Sequence, residues 1–97
     1  MDSENLEERF DAAMFLLYER QCGVIRRPLR FRGMLGNFGG LATAIRLLDG
    51  PTPGDGFVEL WEAGRPDLSV EAFVLEEPWR SLFTDEQLAV AQSRLGR

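Results

Sequence analysis

The chain contains no histidine, and all eleven of its basic residues are arginine, so lysine is absent as well. Arginine codons displacing lysine codons in a GC-rich genome would produce this bias, but the chemical consequence holds whatever its origin. There is no imidazole general base, no histidine-assisted nucleophile, no histidine ligand for zinc, and no lysine for a P-loop or a Schiff base. The one cysteine, Cys22, has no partner for an internal disulfide, which fits a reducing compartment. It falls near a helix C-terminus, where the dipole disfavours the thiolate, and is expected to serve packing, not nucleophilic attack. No apolar run approaches the roughly 18 residues of a membrane span. The acidic opening MDSENLEERF does not read as a secretory signal, so a cytoplasmic location is expected. No catalytic residue, cofactor, metal ligand or small-molecule substrate is expected.

What is present is ordinary globular material. With 97 residues the chain suits one domain, residues 1–97, and not two independent cores. A chain this long buries roughly two-thirds of its unfolded surface, enough for a core without metal or disulfide staples. Apolar content of 44% against 28% charged excludes disorder as the default. The net charge of −5 is unevenly placed. Residues 1–50 carry seven acidic and seven basic groups, whereas residues 51–97 carry nine and four. The C-terminal half is therefore where a basic partner would be drawn.

Helical patterning runs throughout, and no useful stretch alternates with period two. Leu6, Phe10, Ala13, Met14, Leu17 and Gln21 recur at the helical period, with Phe15, Leu16 and Tyr18 widening the apolar face. Ser3 or Asp2 can cap this helix, and Glu4, Glu7 and Glu8 suit its positive end. A face so wide predicts contact with several helices or with a second chain. Pro28 opens a second helix to about Asn37, with Phe31, Met34, Leu35 and Phe38 inward and Gly33 and Gly36 weakening it. A turn over Asn37–Gly40 precedes a third helix through Leu41, Ala44, Ile45 and Leu48.

Thr52, Pro53 and Asp55 predict the capped start of a fourth helix, with Phe57, Leu60 and Trp61 on one face and Gly64 as its stop. Ser69 caps the fifth helix, in which Val70, Phe73 and Val74 point inward until Pro78. Trp79, Leu82 and Phe83 form an apolar hook, expected as one 3₁₀ turn. Thr84–Asp85–Glu86–Gln87 is a capping box for the last helix, which uses Leu88, Ala91 and Leu95. Trp61 and Trp79 are both expected in the core. Glu62 with Arg65 and Glu76 with Arg80 are helically spaced ion pairs. The fold class is all-α, an irregular orthogonal bundle of five or six short helices.

Two charged clusters are candidates for function. Arg26, Arg27, Arg30 and Arg32 surround a helix start, with Phe31 among them. Four guanidiniums there suit phosphate, and an aromatic between them suits stacking on a base. The competing reading is a solvated face paired with the acidic half of the same chain, and the net negative charge disfavours long-range attraction to DNA. Glu59, Glu62, Arg65 and Glu71 form a candidate charged surface. Paired carboxylates can hold a hard cation or do acid–base work, but most simply face solvent.

The run Gly56–Phe57, Leu60–Trp61–Glu62, Gly64–Arg65, Asp67–Leu68–Ser69–Val70–Glu71–Ala72, Val74–Leu75–Glu76 and Leu82–Phe83–Thr84 resembles a small bacterial helical protein family of uncharacterised activity. An upstream Arg30–Phe31 pair and a Gly39–Gly40 turn extend the likeness over roughly residues 28–95. The resemblance implies a helical fold and a bacterial origin, and it carries over no catalytic or binding residue. The leading expectation is a non-enzymatic interaction module that binds another protein or itself. The alternatives are nucleic-acid binding through Arg26–Arg32, an acidic DNA mimic through residues 55–86, and an enzyme relying on carboxylates and arginine.

Overall fold

Helical periodicity is realised as five α-helices and two 3₁₀ turns among the described residues: α1 (Asp2–Cys22), α2 (Leu29–Asp49), α3 (Asp55–Glu62), the turn Pro66–Leu68, α4 (Val70–Val74), the turn Trp79–Leu82, and α5 (Asp85–Arg94). The computed structural model describes residues 2–26 and 28–97, with side chains from Leu6 onward. Arg27 and the side chains of Asp2, Ser3 and Glu4 lie outside the described residues. No strand occurs among those described, and the all-α class is as expected.

The helical face of α1 explains its position. Phe10, Met14, Leu17 and Tyr18 are buried, and α1 packs against α2 and both 3₁₀ turns. Phe10 sits at the centre of an aromatic cluster, with ring centroids 5.8 Å from Phe73, 5.5 Å from Trp79 and 5.6 Å from Phe83. Aromatic pairs at such spacing add about 0.5–1.5 kcal/mol each beyond burial. Trp79 is thus part of the core. At the other end of α1, Gln21 Nε2 donates to the Leu68 carbonyl oxygen at 2.8 Å, which lets an amide occupy a buried position.

The predicted second and third helices are the two halves of α2, broken at Gly39, whose φ of 81° and ψ of 177° are non-helical. The break frees the amides that follow it. Asp11 of α1 takes two of them: Gly40 N–H donates to Oδ1 at 2.8 Å and Leu41 N–H to the same oxygen at 3.2 Å. At the other end, Arg94 of α5 donates from Nη1 to the Leu47 carbonyl at 2.9 Å and from Nη2 to the Gly50 carbonyl at 2.7 Å. An anion therefore meets the amide end of the segment 40–49 and a cation its carbonyl end, the pairing that the helix dipole favours.

Local caps later in the chain follow the sequence. Ser69 Oγ accepts from Ala72 N–H at 3.1 Å, Thr84 and Gln87 form the reciprocal box, and Gly64 is left-handed at φ 76°. Pro28, expected inside the second helix, instead precedes it as the N-cap residue.

Other expectations are corrected. Helix α3 starts at Asp55 after Gly54 with no side-chain cap, so Thr52 does not serve as one. Trp61 is 48% exposed, and of α3 only Leu60 is buried. The main tertiary neighbour of α3 is the turn Pro66–Leu68, which leaves most of the helix uncovered. Phe38 also turns outward, beneath the Arg46 guanidinium at 4.0 Å from the ring centre. Cys22 is exposed at the end of α1, not packed. Arg65 pairs with Asp67 in place of Glu62, and Arg80 approaches Glu77 in place of Glu76 while donating to the Leu75 carbonyl.

Candidate functional site

An open groove of about 680 Å³ runs between the first half of α2, the connector Gly50–Gly54 and α3. Each wall follows from local sequence. The stretch LRFRGMLGNF places Phe31 and Leu35 in the core, so the positions between them face out. Arg30 and Phe38 line the groove from this side, and Arg46 joins them from the second half of α2. The α3 sequence DGFVELWE turns Leu60 inward and leaves Asp55 and Glu59 on the opposite wall. Phe57 and Trp61 lie against each other with centroids 5.8 Å apart. The groove thus has a basic wall and an acidic wall over an apolar floor that includes Met34 and Phe57.

Of the four sequence-predicted arginines, the three that are described do not converge there. Arg30 lines the groove, whereas Arg32 lines a shallower hollow with Tyr18, Glu19, Cys22 and Leu29. Positions i and i+2 of a helix lie roughly 200° apart, so Arg30 and Arg32 do not share a face. Arg26 is exposed in the turn after α1, and Arg27 lies outside the described residues. Arg26, Arg30 and Arg32 make no ion pair among the described residues; the pairs found there are Arg65–Asp67, Arg80–Glu77 and Arg94–Glu71.

The predicted acidic surface divides as well. Glu59 lines the groove, and Glu62 is exposed at the end of α3. Arg65 holds Asp67 through two bonds of 3.0 Å, and hydrogen bonding from Arg65 keeps the Asp67 carboxyl below the ordinary carboxylate range. Glu71 is not on the surface. It is 4% exposed, at the floor of the groove, and its Oε2 accepts from Arg94 Nη1 at 3.1 Å. Burial pushes its carboxyl up, against the opposing pull of its own backbone amide and of Arg94. A DNA-mimic surface through residues 55–86 therefore lacks Glu71, and Asp67 and Glu77 within it already face arginine.

Asp11, Arg46 and Arg94 were not singled out from sequence. The Gly39–Gly40 pair was the available signal, because a helix restarting there needs an acceptor for its first amides and the local chain offers none. Comparison of the chain with protein-family models, with curated proteins and with solved structures gives no match. Among the described residues, no helix is long and apolar enough to cross a membrane.

Proposed function

We propose that this chain is a non-enzymatic interaction module of the cytoplasm that binds protein through the α2–α3 groove. The observation supporting this reading is the exposed apolar character of the α2 wall facing Phe57 of α3. Leu29 is 67% and Phe38 43% exposed on that wall. Scattered apolar residues are normal on a surface, but a groove flanked by charge of both signs offers affinity and register together. The reading assigns no reaction to the groove. Its test is affinity capture from the native host with mass spectrometry, comparing the wild-type chain with Leu29→Asp/Phe38→Asp. Loss of the captured proteins in the variant is expected. Capture of the same set by both proteins would place the interaction elsewhere.

Nucleic-acid binding is the second reading, supported by Arg26, Arg30 and Arg32 being exposed without carboxylate partners among the described residues. It expects binding that weakens with salt and with Arg→Ala changes at these positions. Absence of binding at low salt ends it.

A further inference from the structure

We propose that the occupant of the groove is a second copy of this chain, with α3 of each copy lying on the basic wall of the other. The inference rests on the groove being the interaction surface. Charge complementarity carries it. The α2 side of the groove is lined by Arg30 and Arg46 and by no acidic residue. Helix α3 holds Asp55, Glu59 and Glu62 and no basic residue. Within one chain no ion pair joins the two walls among the described residues. Opposite charges therefore flank an apolar floor without neutralising each other.

A surface that carries its own complement on the adjoining wall is what an isologous contact needs. A two-fold axis along the groove sets each basic wall against the partner's acidic wall, and every pair formed is formed twice. The apolar side chains agree. Leu29 and Phe38 lie on the α2 side of the groove and Phe57 on the α3 side, so the same rotation apposes apolar groups as it apposes charge. Helix α3 has little else to hold it. Its main tertiary neighbour is the 3₁₀ turn Pro66–Leu68, and Leu60 is its buried residue.

Two charge reversals test the arrangement. Arg30→Glu places a carboxylate on the basic wall, and Glu59→Arg a guanidinium on the acidic wall. Neither variant should self-associate, because each two-fold contact then opposes like charges. An equimolar mixture should dimerise, since the introduced carboxylate of one chain meets the introduced guanidinium of the other at one symmetric position and native Arg30 meets native Glu59 at the other. Both residues are exposed, and a glutamate at position 30 suits a helix N-terminus, so the fold should persist. If Arg30→Glu does not fold, Arg46→Glu mixed with Glu59→Arg repeats the test.

Sedimentation equilibrium on the wild type, on each variant and on the mixture, up to about 1 mM, reads the outcome. Expected are a wild-type dimer, dissociation constants weaker by on the order of 100-fold in each variant alone, and recovery in the mixture. A monomeric wild type overturns the proposal. So do variants that dimerise like wild type, which would point to another face such as that of Phe15 and Leu16, or a mixture that stays monomeric. The capture experiment with Leu29→Asp/Phe38→Asp decides the groove separately, so the dimer can fail while the interaction surface stands.

Discussion

The carboxylate of Asp11 caps a helix segment that starts at Gly40, 29 residues further along the chain. The contact is close in a second sense: a Cβ added at Gly40 would lie 2.8 Å from Asp11 Cα and 2.8 Å from its Oδ1. Position 40 therefore needs glycine for the approach of α1, and Asp11 exploits that approach to satisfy two amides. Asp11→Ala should cost about 1–2 kcal/mol, the worth of an N-cap, while Asp11→Asn should retain most of it. Gly40→Ala should cost more, because the atom a Cβ would meet is backbone of α1, which must shift. Urea unfolding of the three variants gives the order.

The glycines of α2 divide by conformation. Gly39, at φ 81° and ψ 177°, occupies a region essentially confined to glycine, so Gly39→Ala should lose about 1–3 kcal/mol. Gly33 and Gly36 are helical, and a Cβ at either meets nothing within 4 Å. Gly33→Ala and Gly36→Ala should each add about 1 kcal/mol from helix propensity. Thermal unfolding checks this, with each kcal/mol worth about 4–8 °C in a domain of this size. A fall in Tm for Gly33→Ala would show that the backbone there does more than continue a helix.

Arg94 joins three elements by bonding Glu71 and two carbonyls at the end of α2. Its removal leaves Glu71 buried without a counter-charge, so Arg94→Ala should cost about 3–5 kcal/mol near neutral pH. The dependence on pH has a definite sign. Burial raises the Glu71 carboxyl in the folded chain, so its favourable contribution is complete below the ordinary glutamate range and is lost as pH rises through the folded value. Without Arg94 that value moves higher still. The deficit of Arg94→Ala relative to wild type should therefore shrink between neutral pH and about pH 4, as Glu71 takes up a proton. Denaturant unfolding at both pH values measures it, and a deficit that is the same at the two would assign the loss to the carbonyl bonds alone.

Thr43 is fully buried in α2, and its Oγ1 has no hydrogen-bond partner among the described residues. An unsatisfied buried hydroxyl costs about 1–3 kcal/mol, so Thr43→Val should raise stability, by about 1 kcal/mol after repacking. The urea midpoint should rise with an unchanged slope. A lower midpoint would mean that the hydroxyl has a partner which valine cannot replace.

Some of this was determined by sequence alone. Ser69, Thr84 with Gln87, and Gly64 act on groups within a few residues of themselves, so their spacing carries the whole interaction. The same holds for the inward rows of α1, α4 and α5, where helical period selects Phe10, Met14, Phe73, Val74, Leu88 and Ala91. Tertiary structure decided what depends on distant partners. Nothing local assigns Asp11 to Gly40, or Arg94 to Glu71 and to carbonyls 44 and 47 residues away. Nor does composition separate Trp79, drawn into the core by Phe10 and Phe73, from Trp61, which short α3 leaves half in solvent. The groove arises in the same way. Period and propensity place Arg30 and Glu59 on the outer faces of their helices, but only the path of the Gly50–Gly54 connector sets those faces opposite each other, because the relative placement of two helices is fixed by packing between elements and not by the pattern within either.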